Sequence, residues 1–409
     1  MAMLSILIFG LFAPVLAVDV RIDSLPISTR FKPLKEGLTL ADRDRARFKT
    51  MFTRHEKRDQ SVSLTNTGLE YTLNVGIGTP PTYYELLVDT GSEFTWIGAG
   101  KKYVKTKTSI EQGVPFEIDY VFGSAVGSIY KDFVTLSPSL KAANVSFGVT
   151  STTKGVNFDG TLGLGPGAFG TLSNGKPTFM NTLLSQQAIK QNVFGLSFAP
   201  TTSQRAVNGD LTFGGTNPQK YAGKLKWIET TKKVSLSRYW GFEQTIKVQL
   251  LLHTAIERQL TRAQYGNRIL QPSSTGVLDA GTALIYITHQ AFEAYCKSLP
   301  GSKIDSSTGL LEIPEASVGK MKSLFFLINK VSYEFTPNAQ LWPRKLNGAL
   351  GGDPDAYYSV IYSLGNLAVN TEIEFINGYA FMERFYTAYD LSKSRIGFAN
   401  TPLTHANIS

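Results

Sequence analysis

Two stretches of this chain place an aspartate at the end of an apolar run and follow it with a short turn. The first spans residues 86–98 around Asp89, and the second spans residues 276–287 around Asp279. Each apolar run predicts a buried strand. A carboxylate in that position is costly to bury unless hydrogen-bond donors surround it. Because two copies with matching flanks lie 190 residues apart, we expect a duplicated half-domain that brings both aspartates together about a pseudo-two-fold axis.

Paired carboxylates point to general acid–base catalysis. Two carboxylates within hydrogen-bond distance do not ionise together easily, so one keeps a proton and the pair titrates as a unit. The charged member can take a proton from a water molecule while the neutral member polarises a peptide carbonyl. This chemistry needs no metal, no covalent intermediate and no cofactor. The shared proton predicts activity at acidic pH.

Five further stretches accompany the two aspartates. They are residues 71–80 (YTLNVGIGTP), 158–164 (FDGTLGL), 211–215 (LTFGG), 375–378 (FING) and 385–390 (FYTAYD). Together, and in this order, they resemble the pepsin-like aspartic proteases over residues from about 70 to 400. The secreted fungal members are the most similar. The resemblance implies an all-β, bilobal fold with two pseudo-two-fold related, β-barrel-like lobes, a central cleft, and a monomeric endopeptidase acting on proteins and peptides.

The resemblance makes Asp89 and Asp279 the catalytic pair and assigns supporting roles around it. The supporting residues are Thr90, Gly91, Ser92, Gly281 and Thr282. Ser92 and Thr282 are expected to hydrogen-bond the outer carboxylate oxygens, and Thr90 is expected to reach across the base of the site to the opposite lobe. Its partner position holds Ala280, where the family has Thr or Ser. The lost hydroxyl can leave one buried acceptor unpaired, which costs about 1–3 kcal/mol of stability. We therefore expect an active enzyme in which the base of the catalytic site is held slightly less rigidly.

Residues 116–130 alternate between apolar and polar, break at two glycines and resume, which predicts a hairpin with a flexible tip. By resemblance this hairpin is the flap that closes over substrate. Its tip and support comprise Trp96, Tyr120, Val121, Phe122, Gly123 and Ser124. Tyr120 is expected to pack beside the first substrate pocket, supported by a hydrogen bond from Trp96; an ordinary strand tyrosine is the alternative. Phe122 stands where some fungal relatives use an acidic group to accept lysine, so we expect a hydrophobic or aromatic preference before the scissile bond.

The formal net charge of +9 is concentrated near the N-terminus. Residues 18–58 hold 11 Lys/Arg and 6 Asp/Glu, a balance of +5, which leaves +4 for all the rest. Outside this segment no dense basic patch with interleaved aromatics appears, which argues against nucleic-acid binding. The single cysteine, Cys296, excludes an intrachain disulfide; we interpret it as a buried structural thiol rather than a reactive one.

The first 58 residues are expected to be removed. Residues 1–17 contain an apolar run and small residues before a cleavage site after Ala17, which predicts a secretory signal rather than a retained anchor. Residues 18–58 show helical character near residues 38–48 and end at Lys57-Arg58, a dibasic processing site. By resemblance this part is an inhibitory propeptide with a basic side chain over the catalytic acids; a solvated tether is the alternative. Because the mature part is mildly basic, we expect cleavage after Arg58 to contribute more to activation than acid self-cleavage.

The chain therefore divides into a signal peptide (1–17), a basic propeptide (18–58), an N-terminal lobe with the flap (59–220) and a C-terminal lobe (221–409). The tail carries neither a transmembrane segment nor a lipid-anchor signal, so a secreted, extracellular protein without a membrane anchor is expected. Asn144 and Asn407 begin Asn-x-Ser triplets and are candidate glycosylation sites.

The sequence lacks the residue patterns that other catalytic classes need. None of the four histidines lies in a zinc-binding pattern, and no Gly-x-Ser-x-Gly nucleophile turn is present. The pattern at residues 165–170 matches a dinucleotide fingerprint only as letters, since it contains a proline and no helix pattern follows it. The remaining alternative is a secreted peptide-binding or inhibitor-capturing protein built on the protease scaffold.

Overall fold

A computed structural model describes residues 22–31, 38–53, 69–120, 123–154, 158–167, 175–249, 267–365 and 372–408. Strands dominate these residues, as predicted. In the first half they are β1 (Asp23–Phe31), β2 (Leu69–Ile77), β3 (Thr82–Asp89), β4 (Trp96–Ile97), β5 (Ile110–Tyr120), β6 (Gly123–Thr135), β7 (Lys141–Lys154), β8 (Gly160–Gly163), β9 (Val193–Ser197) and β10 (Arg205–Phe213). In the second half they are β11 (Ala222–Glu229), β12 (Gly241–Gln249), β13 (Asn267–Leu278), β14 (Ile285–Ile287), β15 (Lys303–Ile304), β16 (Leu311–Ile313), β17 (Leu324–Ile328), β18 (Val331–Phe335), β19 (Tyr357–Tyr358), β20 (Ile361–Ser363), β21 (Phe375–Asn377), β22 (Phe385–Asp390) and β23 (Arg395–Asn400).

The described helices are short, apart from the first. They are α1 (Leu40–Thr53), α2 (Phe179–Ser185), α3 (His289–Lys297), α4 (Glu315–Val318) and α5 (Tyr379–Met382), with 3-10 turns at Pro218–Lys220, Val234–Leu236, Asn338–Gln340 and Arg344–Leu350. Local sequence explains where they begin: the side chains of Thr178 and Thr288 accept backbone N–H bonds at the starts of α2 and α3. Such N-caps satisfy donors that a helix cannot pair internally.

Two sheets carry most of the fold. A 13-stranded sheet runs in the order β11-β23-β22-β9-β10-β1-β2-β3-β8-β4-β7-β6-β5, and a seven-stranded sheet runs β18-β17-β12-β13-β21-β14-β20. The larger sheet therefore contains strands from both halves of the chain, because β11, β22 and β23 follow residue 220. This shared sheet crosses residue 220, where the sequence predicts the division into lobes, and that division remains a prediction.

The duplication inferred from the sequence is visible in the strand pairing. β3 pairs in parallel with β8, and β8 pairs antiparallel with β4. In the second half β13 pairs in parallel with β21, and β21 pairs antiparallel with β14. Each lobe thus threads one strand between the strand that leads to its aspartate and the strand that follows.

Residues 22–53 are built into this fold. β1 lies between β10 and β2, pairing antiparallel with both, and Ile27 at its centre is fully buried. The predicted helix near residues 38–48 forms as α1. Within the part of the N-terminal segment that the structure describes, the arrangement is that of an inserted strand and a docked helix, not a solvated tether.

Several sequence predictions concern residues outside the described ranges. They include the signal peptide at residues 1–17, the Lys57-Arg58 site, and Val121 with Phe122 at the hairpin tip. Within the part of the chain that the structure describes, no helix combines the length and apolar character needed to cross a bilayer.

Candidate active site

The two aspartates lie at equivalent ends of their strands. Asp89 is the last residue of β3, and Asp279 follows β13 directly. Both carboxylates are buried, with 1% and 0% of the residue exposed. A backbone hydrogen bond fixes each aspartate: Asp89 O accepts from Leu164 N at 2.7 Å, and Asp279 N donates to Asn377 O at 3.0 Å.

One guanidinium contacts both carboxylates. Arg47 on α1 donates from Nη2 to Asp89 Oδ1 at 2.5 Å and to Asp279 Oδ1 at 3.0 Å. Its Nε donates to Asp279 Oδ2 at 2.8 Å. Since a single nitrogen reaches one oxygen of each acid, the two carboxylates face the same small space. The fork geometry of arginine matches a carboxylate with two parallel bonds, which is how Arg47 meets Asp279.

The two turns hold the carboxylates through backbone donors, as the motif predicts. Gly91 N donates to Asp89 Oδ1 at 2.8 Å, and Gly281 N donates to Asp279 Oδ1 at 3.1 Å. A Cβ on Gly91 would lie 2.4 Å from Asp279 Oδ1, and one on Gly281 would lie 2.4 Å from the Arg47 guanidinium. Glycine at both positions therefore allows these charged groups to approach the turns closely.

The hydroxyl following each turn behaves differently in the two halves. Thr282 Oγ1 donates to Asp279 Oδ2, as expected from the sequence. The equivalent bond expected from Ser92 is absent: Ser92 Oγ accepts instead from Phe94 N at 3.4 Å. Asp89 Oδ2 is buried and has no hydrogen-bond partner among the described residues. The Ser92 expectation is thus corrected; this hydroxyl caps its own turn.

Thr90 does reach across to the opposite half. Its Oγ1 donates to Leu278 O at 3.3 Å and accepts from Ala280 N at 2.9 Å. Ala280 is 1% exposed and packs in the main hydrophobic core. One side of the cross-lobe connection is therefore present, and the alanine takes part in it through its backbone.

The pKa values of the two acids move in opposite directions. Burial raises the pKa of Asp89 above its usual range, with the charge of Asp279 adding to burial and Arg47 opposing it. Burial acts the same way on Asp279, but Arg47, Thr282 and the Gly281 N–H outweigh it and hold the pKa of Asp279 below its usual value. In the described state the negative charge is thus better stabilised on Asp279.

Helix α1 contacts the second lobe at three more points that sequence reasoning missed. Asp44 accepts from Ala283 N at 3.1 Å and from Leu284 N at 3.0 Å. Phe48 packs edge-on against Tyr286, with ring centroids 4.8 Å apart. Arg45 lies over a tyrosine ring further along the lobe. Positions 44, 47 and 48 share one helix face, so the spacing was the available signal.

The predicted hairpin forms from β5 and β6, paired from residue 110 to residue 131. Gly123 begins β6 opposite Tyr120, and Ser124 follows it, while the Tyr120 side chain and the tip fall outside the described atoms. Trp96 is fully buried and packs beside Phe158, with ring centroids 5.8 Å apart. The flap roles of these residues remain predictions.

The other candidate residues have simple surroundings. Asn144 is exposed in the left-handed region at φ 51°, and Asn407 is exposed and accepts from Asn338 Nδ2 at 2.6 Å.

Cys296 packs partly buried against the core, and burial raises the pKa of its thiol to about 11. Such a thiol is poorly nucleophilic at neutral pH, in agreement with a structural role. Among the described residues no cluster of His, Cys, Asp and Glu could hold a metal ion.

Two strand-end aspartates meeting at the floor of an interlobe site, each held by a glycine turn, define the architecture of an aspartic protease. Comparison with known proteins agrees: the family described as "Eukaryotic aspartyl protease" matches residues 70–401. This chain belongs to that family and is an aspartic-type endopeptidase, a hydrolase.

Individual relatives are similar to this chain over most of its length. Polyporopepsin from Irpex lacteus is 42% identical over 354 residues, which cover 85% of this chain and 98% of that protein. Cathepsin D from Gallus gallus is 26% identical over 352 residues, covering 81% and 80%. The crystal structure of aspartic proteinase from Irpex lacteus superposes with a TM-score of 0.76 at 35% identity, covering 95% of this chain and 100% of that chain. The predicted all-β, bilobal, pepsin-like fold is confirmed.

Proposed function

We propose that this chain is the secreted precursor of an acid endopeptidase that cleaves with Asp89 and Asp279. The observation that carries the proposal is the single guanidinium that hydrogen-bonds both buried carboxylates. A positive group fits there only where two acids converge. When α1 leaves, the same oxygens are free to hold one water molecule and one shared proton.

In this mechanism the ionised carboxyl accepts a proton from the water, and the water oxygen attacks the carbon of the peptide carbonyl. The protonated carboxyl donates to the carbonyl oxygen, and a proton then passes to the leaving amine. One proton must be shared, so activity is expected at acidic pH. The Gly91 and Gly281 N–H groups and the Thr282 hydroxyl keep both carboxyl groups oriented. Phe122 supports a hydrophobic or aromatic preference before the cut.

The N-terminal segment, defined as residues 18–58, acts in this proposal as an inhibitor of its own enzyme. Arg47 fills the place of water and substrate, and β1 and α1 fasten the segment at both ends. Cleavage after Arg58 separates it from the catalytic body. The apolar run at residues 4–12 and this dibasic site support passage through a secretory route.

The primary test is proteolysis of acid-denatured casein or haemoglobin by the matured protein, with and without pepstatin, a transition-state-mimicking peptide inhibitor. We expect cleavage at acidic pH that pepstatin abolishes and that Asp89→Asn lowers by several orders of magnitude. Pepstatin-resistant cleavage, or full activity in Asp89→Asn, would refute the assigned mechanism.

A second test addresses maturation. A Lys57→Ala/Arg58→Ala double variant is expected to remain as the longer precursor at low pH, since the segment is held mainly by buried contacts. Maturation of that variant at the wild-type rate would show that acid self-cleavage is sufficient. Mass spectrometry of the product N-terminus reports the cut directly.

A further inference from the structure

Two buried amide side chains bond each other close to the second aspartate. Asn377 is the last residue of β21 and Gln244 lies within β12, and they are 0% and 1% exposed. Asn377 Nδ2 donates to Gln244 Oε1 at 2.9 Å, and Gln244 Nε2 donates to Asn377 Oδ1 at 3.3 Å. Each amide therefore satisfies the other, as a buried polar group requires. These two side chains are called the amide pair below.

The backbone at Asn377 is connected to both ends of the turn that carries Asp279. Asn377 O accepts from Asp279 N at 3.0 Å, where the turn begins. The next residue, Gly378, donates from N to Leu284 O at 3.1 Å, where the turn ends. A rotation of the backbone at Asn377 would move both bonds. Whatever fixes Asn377 therefore also fixes the position of Asp279.

The first half of the chain has an apolar residue at the equivalent position. Leu162 pairs with the residue before Asp89, as Asn377 pairs with the residue before Asp279. Leu162 is fully buried. A buried amide pair is harder to accommodate than an apolar contact, because every donor and acceptor must find a partner. The amide pair in the second half is thus not needed to fill the core.

In the first half a hydroxyl fastens the threaded strand. Thr95 Oγ1 accepts from Gly163 N at 3.1 Å, which ties the end of β8 to the segment after Asp89. Thr95 follows Asp89 by six residues, and the residue six after Asp279 is Ile285, which has no hydroxyl. The two halves therefore fasten their threaded strands with different side-chain bonds, and in the second half the amide pair supplies them.

We propose that Asn377 and Gln244 are positioning residues for catalysis, whose mutual hydrogen bonds hold the end of β21 so that Asp279 meets its donors in the correct orientation. The inference rests on the proposed function, since it treats Asp279 as a catalytic acid. These donors are Gly281 N, at 3.1 Å from Asp279 Oδ1, and the Thr282 hydroxyl, which donates to Oδ2. A displaced turn lengthens these bonds, and the carboxylate is then stabilised less. The amide pair acts on the chemistry through the backbone of Asp279.

Replacing both amides by leucine separates positioning from stability. Asn377→Leu/Gln244→Leu removes both partners together, so the free energy of unfolding should stay near that of the wild type. In the matured variant we expect kcat on a chromogenic peptide to fall by about tenfold, with KM changed by less than about twofold, since small misplacements of a reacting group are costly. The acid limb of the kcat profile should move to higher pH, because a carboxylate with weaker donors is protonated more easily. Wild-type kcat and pH profile in this variant would overturn the proposal.

The matched control is a buried amide elsewhere in the second half. Gln340 is 1% exposed, and its Nε2 donates to Lys322 O at 2.8 Å and to Phe335 O at 3.2 Å. Gln340→Leu is expected to lower the free energy of unfolding but to keep the wild-type kcat and acid limb. An equal fall in kcat in this control would show that the loss of any buried amide slows the enzyme, and the proposal would be wrong.

The single variants complete the test. Each of them leaves one buried amide unpaired, so both should be less stable than the double variant and show a similar fall in kcat. If the double variant does not fold, Gln244→Leu gives the same comparison of kcat and acid limb with Gln340→Leu. Failure of the proposed function gives a different result, because the wild-type enzyme then shows no pepstatin-sensitive cleavage.

Discussion

The two aspartates share a motif but not an environment. Asp279 receives Arg47 on both oxygens and Thr282 on one, whereas Asp89 receives Arg47 and Gly91 on the same oxygen, Oδ1. Opposed pKa shifts follow from this difference. With Arg47 in place, the negative charge is therefore better stabilised on Asp279 than on Asp89.

Arg47 is expected to be the residue that keeps the precursor inactive. In a Lys57→Ala/Arg58→Ala background, Arg47→Gln leaves two buried carboxylates without a cation, which weakens docking of α1 by about 3–5 kcal/mol. We expect the uncleaved variant to bind pepstatin and to hydrolyse casein at acidic pH. The matched control is Arg45→Gln, on the same helix but lying over a tyrosine ring. Equal behaviour of the two variants would contradict the role of Arg47.

Glu383 makes the fold more stable in acid. Burial raises its pKa from 4.5 to about 7, partly opposed by the hydrogen bond from Tyr71 and by Arg384. Because the folded pKa lies above the unfolded one, the group imposes no penalty below about pH 4. A penalty grows as pH rises, since the unfolded chain ionises first, and it is complete above pH 7.

Glu383→Gln should therefore stabilise the protein only near neutrality. Urea unfolding is expected to give equal free energies for variant and wild type at pH 4, and a gain of up to about 3 kcal/mol for the variant at pH 7.5. Glu315→Gln, at an exposed acid, serves as the control at both pH values. A variant that is less stable at pH 7.5 would show that the ionised carboxylate is needed there.

Most of the site was predictable at the level of single residues because it is local. Gly91, Gly281 and Thr282 act within three residues of an aspartate, so the motif contains both partners of each bond. The identity of the cation that contacts both aspartates could not be predicted. Arg43, Arg45 and Arg47 all lie on one helix, and only packing selects among them. The bond expected from Ser92 to Asp89 does not form, and Ser92 Oγ accepts from Phe94 N instead; the motif alone does not show which way this hydroxyl points.

At the scale of elements, β8 fixes the turn that carries Asp89. Gly163 pairs with Asp89 in register, and a Cβ there would lie 2.6 Å from Phe94 N. Gly163→Ala therefore pushes the backbone after the turn away from β8. We expect a loss of about 1–3 kcal/mol in the free energy of unfolding and a kcat lowered by at least about tenfold, since small misplacements of reacting groups are costly.

Urea unfolding and a casein assay on the matured enzyme measure these two effects. Gly319→Ala is the matched control, because a Cβ at that glycine meets no atom within 4 Å. Wild-type activity in Gly163→Ala would mean that the Asp89 turn tolerates displacement from β8.

Prediction of the elements succeeded where pairing is sequential. The β5–β6 hairpin follows from alternation and a short turn, and it forms. β1 was missed, although Leu25, Ile27 and Phe31 alternate with exposed or partly exposed positions. Its partners β2 and β10 lie about 40 and 180 residues away along the sequence, and nothing local records such distant pairing.

At the scale of the whole molecule, the active site depends on contacts between lobes that no motif contains. Trp240 Nε1 donates to Leu164 O at 3.0 Å, next to the strand that supports Asp89. Two residues earlier, Arg238 Nη1 donates to Glu93 Oε1 at 3.0 Å. Residues 238–240 therefore contact the turn after Asp89 and the strand beside it, which links the alignment of the two halves to the position of that aspartate.

The Arg238–Glu93 ion pair gives the test at this scale. Its carboxylate is 5% exposed, and Glu93 follows Asp89 by four residues. A double-mutant cycle with Glu93→Gln and Arg238→Gln is expected to give a coupling of about 1–2 kcal/mol in unfolding free energy. Because the pair spans the lobes, each single variant should also lower kcat/KM.

The control is the Asp390–Arg395 pair, at 2.8 Å between neighbouring strands. The same cycle there should change stability but leave kcat/KM unaltered. If both pairs affected stability alone, the lobes would be aligned by packing and not by this contact.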